Sequence, residues 1–126
     1  MAKTIVFPTN EETGLSAKRG AHFGRARYYT VVRVGEHGGV ESVESIKNPG
    51  HEAGGCGGAI ENIRSLGADA LVVSGIGASP LKGFIQHGVL VFYDNVSPTV
   101  ESSLDALEAG RLTPMRPDMS CSHHTH

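Results

Sequence analysis

The chain has 126 residues and a formal net charge of −2 at pH 7, with 11 basic and 13 acidic side chains and seven histidines. This length suits one domain that buries about two-thirds of its unfolded surface. The balanced charge excludes a broad electrostatic field for nucleic acid or acidic membranes. No apolar run approaches the roughly 20 residues of a membrane helix, and the stretch at Thr4–Phe7 is too short for a signal peptide. We therefore expect a cytoplasmic protein with reduced thiols.

Three strands are predicted in the N-terminal half, at residues 4–7, 28–34 and 40–46, because these stretches are rich in β-branched and aromatic side chains. A tight turn at residues 36–39 joins the second strand to the third, so we expect these N-terminal strands to pair antiparallel. A glycine-rich loop then leads into a predicted helix at residues 58–66, where apolar residues recur with a helical period.

The C-terminal half alternates strands and helices. The stretch 69–74 is almost wholly apolar, which is typical of a strand covered on both faces. Ser79 as N-cap and Pro80 as the first helical residue predict a helix that ends near His87. A strand at 89–93 follows it.

The dipeptide Ser97–Pro98 predicts a last helix over residues 98–109, and Arg111 begins a stretch without periodicity. The fold class is therefore α/β, with one five-stranded mixed sheet and helices on both faces. We expect one domain over residues 1–112 and a flexible Cys/His-rich tail over residues 113–126.

Two loops carry side chains suited to metal chemistry. In the loop before the second strand, His22 is a candidate ligand and Arg25 a candidate partner for an anion. In the loop after the third strand, Cys56 stands among glycines near a predicted helix N-terminus, a setting that lowers the pKa of a thiol. The alternatives are a surface loop whose histidine bonds to backbone and a flexible loop with an incidental cysteine.

The C-terminal hexapeptide, residues 121–126, adds one thiol and three imidazoles, the side chains that hold zinc, copper, nickel and iron. Thr125 interrupts the histidines, which favours a native sequence over a purification tag. A further loop, Gly75–Ser79, lies between a predicted strand and a predicted helix, where free backbone N–H groups collect anions. It lacks the third glycine and the lysine–serine pair of a phosphate loop, so it is weak as a nucleotide signature.

The run His22-Phe23-Gly24-Arg25-Ala26, placed after a short first strand and before an aromatic-rich one, resembles the hallmark of the dinitrogenase iron–molybdenum cofactor biosynthesis family. That family includes NifX-like carriers, the C-terminal domain of NifB and small stand-alone proteins. The resemblance continues through Asp69–Gly77, Gly88–Val89 and Thr99–Glu101 and covers residues 3 to 112. It implies a ribonuclease-H-like fold that carries a metal–sulfur cluster, with His22 as the residue that touches the cluster and Arg25 nearby.

We therefore hypothesise a carrier of an iron–sulfur or iron–molybdenum-type cluster. Its ligands would be His22 and Cys56, its backbone donors would surround Cys56, and the tail would close over the site or capture metal. The donors are Gly54, Gly55 and Gly57, and the tail ligands are Cys121, His123, His124 and His126. Two cysteines are too few for a four-cysteine cluster site, so an oligomer or an exogenous ligand would complete the coordination.

The alternative is a regulatory or interaction domain whose tail buffers zinc or nickel without any cluster. Enzyme activity is the weaker hypothesis, because no motif supplies paired carboxylates or a third group to orient a thiol–imidazole pair of Cys56 and His22. We expect a protein partner for cluster delivery and no binding to nucleic acid or membranes.

Overall fold

The computed structural model describes residues 3–20, 26–36, 38–47, 61 and 63–116. Its sheet has five strands, β1 (Lys3–Thr9), β2 (Tyr28–Val34), β3 (Val40–Lys47), β4 (Ala70–Val73) and β5 (Leu90–Tyr93). Two helices are described in full, α1 (Ala78–Gln86) and α2 (Val100–Glu108), and residues 61 and 63–65 are also helical. A short 3-10 helix spans Gly14–Ser16. The predicted α/β order of elements is confirmed.

The strands lie in the order β3-β2-β1-β4-β5, so the first strand is at the centre of the sheet. β2 pairs antiparallel with both β1 and β3, whereas β4 is parallel to β1 and to β5. The sheet is therefore mixed, as predicted. The strands that follow β1 in the chain, β2 and β3, are added on one side of it, whereas β4 and β5 are added on its other side. The strand order therefore reverses between β1 and β4.

Each face of the sheet has its own apolar core. One core contains Val6, Leu71 and Val91, with Leu81 and Phe84 of α1 and Ile63 packed over them. The opposite core contains alternate residues of the same strands, and Val100 and Leu104 of α2 cover it. Side chains of a strand alternate between the two faces, which explains why all four residues of the inner strand β4 are apolar. The prediction of helices on both faces is confirmed.

β1 extends further than its sequence indicated. We predicted a strand that ends at residue 7, but pairing with β2 continues through Pro8 and Thr9, which lie opposite Tyr29 and Tyr28. The parallel ladder to β4 stops at the Val6–Leu71 pair, so the missing N–H of Pro8 falls where that ladder has already ended. This extension carries the central strand into the loops described below.

Both predicted helix starts are shifted. The N-cap of α1 is Gly77 rather than Ser79, so Pro80 is the third helical residue. The N-cap of α2 is Thr99, whose hydroxyl accepts from the N–H of Ser102 in a capping box, so Ser97 and Pro98 precede the helix. The Ser-Pro dipeptides therefore predicted the approximate position of each helix start but not the N-cap residue. The stops at Gly88 and Gly110 are confirmed, with φ of 78° and 75°.

The packed chain continues past residue 112. Pro114 forms an isolated antiparallel bridge with Phe92, and the N–H of Met115 donates to the carbonyl of Val91 at 2.6 Å. The side chain of Met115 is buried in the core beneath α1. Residues 114 and 115 therefore lie along the edge of β5. The candidate tail ligands Cys121, His123, His124 and His126 lie outside the described residues.

We expect Met115→Ala to lower the free energy of unfolding by about 2 kcal/mol or more, because it empties a buried site. Urea denaturation measures this loss. Arg116→Ala, one residue further along the chain, is the matched control, since the Arg116 side chain is exposed. A Met115→Ala protein as stable as the parent would contradict the inclusion of this segment in the core.

Candidate functional site

Most of the long connections between strands and helices lie along one edge of the sheet. The carboxyl ends of β1, β3, β4 and β5 meet there with the amino end of β2, as the pairings of Thr9 with Tyr28, Tyr28 with Lys47 and Val73 with Tyr93 require. Open α/β sheets bind ligands at this edge, beside the point where the strand order reverses. We call it the carboxyl edge. The geometry therefore selects it as the candidate site.

All of the candidate ligands predicted from the sequence lie outside the described residues. They belong to three segments, 21–25, 48–60 and 117–126: His22, Arg25, Gly54, Gly55, Cys56, Gly57, Cys121, His123, His124 and His126. The described residues that flank the first two segments are close together. Segment 21–25 is followed by Ala26 and, two residues later, by Tyr28; segment 48–60 follows Lys47, the β-partner of Tyr28. The chain thus leaves the first segment and enters the second at neighbouring positions on the carboxyl edge.

The ends of segment 21–25 are fixed against each other. The N–H of Gly20 donates to the carbonyl of Pro8 at 2.9 Å, which attaches the segment to the end of β1. A Cβ on Gly20 would lie 3.3 Å from the Cβ of Ala26, closer than most such contacts in proteins. Glycine at this position therefore lets residues 20 and 26, which flank the segment, lie close together.

A buried ion pair lies behind this loop. Arg19 and Asp94 approach to 3.8 Å between Nη1 and Oδ2, and each side chain is only 3% exposed. Nη1 of Arg19 also donates to the carbonyl of Ser97 at 2.9 Å. Burial lowers the pKa of the Arg19 guanidinium, and the charge of Asp94 partly offsets this effect. Arginine side chains keep their charge in proteins, so this guanidinium is a buried cation.

Asp94 holds the connection between β5 and α2 in place. Its carboxylate accepts from the N–H groups of Val96 and Ser97 at 3.0 and 3.1 Å and from the hydroxyl of Ser103 at 2.8 Å. Burial by itself would raise the pKa of Asp94, but the hydrogen bonds from Ser97, Val96 and Ser103 outweigh it and lower the pKa to about 2. Asp94 is therefore ionised wherever the protein is folded under ordinary conditions.

Sequence reasoning missed both members of this pair. The usable signal for Asp94 was its position directly after the apolar strand β5 and before Asn95 and Ser97, since aspartate in such a place commonly bonds the backbone N–H groups that follow it. Nothing in the sequence marked Arg19, because its acceptor carbonyl at Ser97 is 78 residues away.

The connection between β4 and α1 adds backbone donors to the carboxyl edge. Within the described residues, no side chain caps the N-terminus of α1 at Gly77. The first N–H groups of a helix have no partner inside the helix, so those of Ala78 and Ser79 are oriented as donors for an anionic group. This arrangement agrees with the anion-collecting role that the sequence suggested for Gly75–Ser79.

The described residues form no metal centre of their own. Among them, no three histidine, cysteine, aspartate or glutamate side chains come close enough together to hold a metal ion. A cavity of about 310 Å³ lies beside the carboxyl end of β5, lined by Tyr93, Asp94 and Arg111 among others. A wider cavity of about 720 Å³ lies at the opposite edge.

No helix in the part of the chain described here is long and apolar enough to span a bilayer.

Several solved structures share this fold. An orange protein from Desulfovibrio gigas, solved in its apo form, superposes with a TM-score of 0.75 at 20% identity, over 90% of this chain and 97% of that one. A protein from Thermotoga described as a NifB protein gives a TM-score of 0.72 at 26% identity, over 89% and 92% of the two chains. A protein from Methanocaldococcus jannaschii described as a dinitrogenase gives 0.71 at 16% identity, over 91% and 96%.

No curated protein matches the sequence. The family model named dinitrogenase iron-molybdenum cofactor matches residues 1–110, which include every described strand and helix. The match also spans the segments 21–25 and 48–60 that carry His22 and Cys56. The chain therefore belongs to the dinitrogenase iron–molybdenum cofactor family, as its His-Phe-Gly-Arg-Ala motif suggested.

Proposed function

We propose that this protein binds an iron–sulfur or iron–molybdenum-type cluster and carries it as cargo during cofactor assembly or delivery. The observation that supports this most is the arrangement of the carboxyl edge. The chain leaves the segment that contains His22 just before Tyr28 and enters the segment that contains Cys56 after Lys47, the β-partner of Tyr28, and the uncapped N-terminus of α1 lies on the same edge. A cluster with bridging sulfides is anionic and needs soft ligands together with N–H donors.

The proposed roles follow from ligand chemistry. Cys56 would supply a thiolate and His22 an imidazole, since these side chains bind iron and cluster metals. Arg25 would offset the negative charge of the cluster. Gly54, Gly55 and Gly57 would donate backbone N–H groups to sulfides, because the absence of side chains lets a cluster approach the backbone closely.

Several finer features belong to the same proposal. The five-stranded mixed sheet with helices on both faces supports a ribonuclease-H-like fold. The family membership and the names of the Thermotoga and Methanocaldococcus relatives support a place in the assembly of the iron–molybdenum cofactor. We propose a carrier rather than an enzyme, acting in the cytoplasm, with a protein partner that receives the cluster. A carrier must release its cargo, and a site built on loops with few ligands suits release.

The test is anaerobic reconstitution with ferrous iron and sulfide, with and without molybdate, followed by visible absorption and metal-to-protein ratios. We expect charge-transfer bands and stoichiometric iron and sulfide in the parent protein. The double variant His22→Ala with Cys56→Ala is expected to retain less than about a tenth of the iron. His87→Ala is the matched control, because His87 is exposed at the end of α1 and should leave the iron content unchanged.

A chain truncated after Pro117 separates this proposal from metal buffering by the tail. We expect the truncated chain to keep its cluster, since the proposed ligands His22 and Cys56 remain. A colourless protein that takes up only zinc or nickel, and loses it on truncation, would instead establish a tail that buffers metal. A double variant that binds as much cluster as the parent would refute the assignment of His22 and Cys56.

A further inference from the structure

Arg19 joins the start of the His22 loop (residues 21–25) to a part of the chain that is remote in sequence. Its N–H donates to the carbonyl of Pro98 at 3.0 Å, and its Nη1 donates to the carbonyl of Ser97 at 2.9 Å. The residue before it, Lys18, forms an isolated bridge with Thr99, the N-cap of α2. The strand-like segment before the loop is therefore held between β1 and the start of α2.

The two residues before the His22 loop, Arg19 and Gly20, are both attached to β1. On one side, Gly20 is bonded to Pro8 and is in close contact with Ala26. On the other side, Arg19 pairs with Thr9 of β1 through an isolated bridge while its side chain reaches Asp94 and Ser97. A displacement of the Arg19 side chain would therefore move the base of the loop, since only Gly20 separates Arg19 from the first loop residue.

A charged side chain at position 19 is not needed to fill the space that Arg19 occupies. Its guanidinium is almost fully buried, and its Nε has no hydrogen-bond partner among the described residues. Burying a charged group is costly, and an apolar side chain of similar volume commonly gives equal or greater stability. What an apolar side chain cannot supply is a directional hydrogen bond to the Ser97 carbonyl together with a charge that attracts Asp94.

We propose that Arg19 is a positioning residue for cluster binding: through Ser97 and Asp94 it fixes the base of the His22 loop at the carboxyl edge. This inference rests on the proposed function, because it assumes that the His22 loop contacts the cluster. Arg19 itself does not touch the cargo. Its effect is on how long a cluster stays bound and on the geometry of the metal environment.

The test compares Arg19→Met with Ser103→Ala in full-length protein reconstituted with iron and sulfide. Both variants remove one contact of Asp94, but Ser103 lies within α2 and has no bond to the segment before the loop. We measure the rate of cluster loss to an iron chelator, the visible circular dichroism of the bound cluster and the melting temperature. Arg19→Met is expected to release the cluster at least tenfold faster with an altered dichroism spectrum. Ser103→Ala should release it within twofold of the parent rate.

Two further variants keep the test decisive. Arg19→Lys retains the charge and one donor, so we expect it to restore the parent spectrum and a release rate within threefold. If Arg19→Met does not fold, Arg19→Gln keeps a donor for the Ser97 carbonyl and removes the charge, and we expect fast release from it as well. A parent protein that takes up no cluster overturns the proposed function and this role with it. A parent that binds cluster while the Arg19 and Ser103 variants release it equally fast overturns the positioning role alone.

Discussion

Replacing Asp94 by alanine is expected to lower the free energy of unfolding by about 3 to 5 kcal/mol, the usual result of removing one partner from a buried charge pair. The substitution leaves the Arg19 guanidinium buried without its counter-charge. It also leaves the N–H groups of Val96 and Ser97 and the hydroxyl of Ser103 without their acceptor. The Ser103 hydroxyl is fully buried and adds to the loss, because its hydrogen bond to water is not restored.

Urea denaturation at pH 7 measures this loss, with Asp105→Ala as the matched control. Asp105 is an exposed carboxylate on the same helix that Ser103 belongs to, so its removal changes the net charge equally without touching the buried pair. We expect the control to alter stability by less than about 0.5 kcal/mol. Equal stability losses for the two variants would show that the buried pair contributes nothing specific.

The same carboxylate predicts a sensitivity to acid. The folded pKa of Asp94, about 2, lies below the ordinary value of 3.8, so the folded state favours the ionised form. The stabilisation is complete above about pH 4 and is lost as the pH falls through about 2, with a total near 2 kcal/mol from the linkage between protonation and folding. We expect Asp94→Asn to flatten the dependence of stability on pH in this window. An unchanged slope would contradict the low pKa.

Replacing Phe84 by alanine is expected to lower the free energy of unfolding by about 3 to 5 kcal/mol. Phe84 is fully buried, and it packs from α1 onto the core of its face of the sheet, against strands β4 and β5 among others. Its removal leaves a cavity in the layer that joins helix and sheet, and neighbouring side chains fill such a cavity only in part. Chemical denaturation followed by circular dichroism measures the change.

Ile85→Ala is the matched control for this substitution. Ile85 is the next residue of α1 and is 36% exposed, so it tests the same helix without emptying the core. We expect it to cost about 1 kcal/mol, because Ile85 is partly exposed and its removal leaves no enclosed cavity. A Phe84→Ala protein no less stable than Ile85→Ala would contradict the packing of α1 against the sheet.

The sequence predicted those parts of the fold that depend on near neighbours along the chain. β4 is recognisable because all four of its residues are buried and therefore apolar. The ends of α1 and α2 are recognisable because Gly88 and Gly110 adopt positive φ, which other residues avoid. Both helix starts were displaced by two residues. For α2 the reason is that Thr99, rather than Ser97, makes the capping bond to the N–H of Ser102.

Some features of the candidate site could also be predicted from local sequence, and others could not. The motif around His22 identified the family from local sequence, and the family model matches the chain. The identities of the ligands His22 and Cys56 remain predictions from residue chemistry. The Arg19–Asp94 pair could not be found from the sequence, because an arginine in a polar loop and an aspartate after a strand are both common on protein surfaces.

The sequence by itself determined the order of strands and helices, the apolar character of the inner strands and the family to which the chain belongs. Only the tertiary structure decided that β1 lies at the centre of the sheet and that the chain enters the two ligand-bearing segments from the same edge. It also decided that Arg19 is buried against residues near the start of α2. The physical reason is range: helical periodicity, strand composition and glycine stops act over a few residues, whereas strand order and buried charge pairing depend on contacts between residues far apart in the chain.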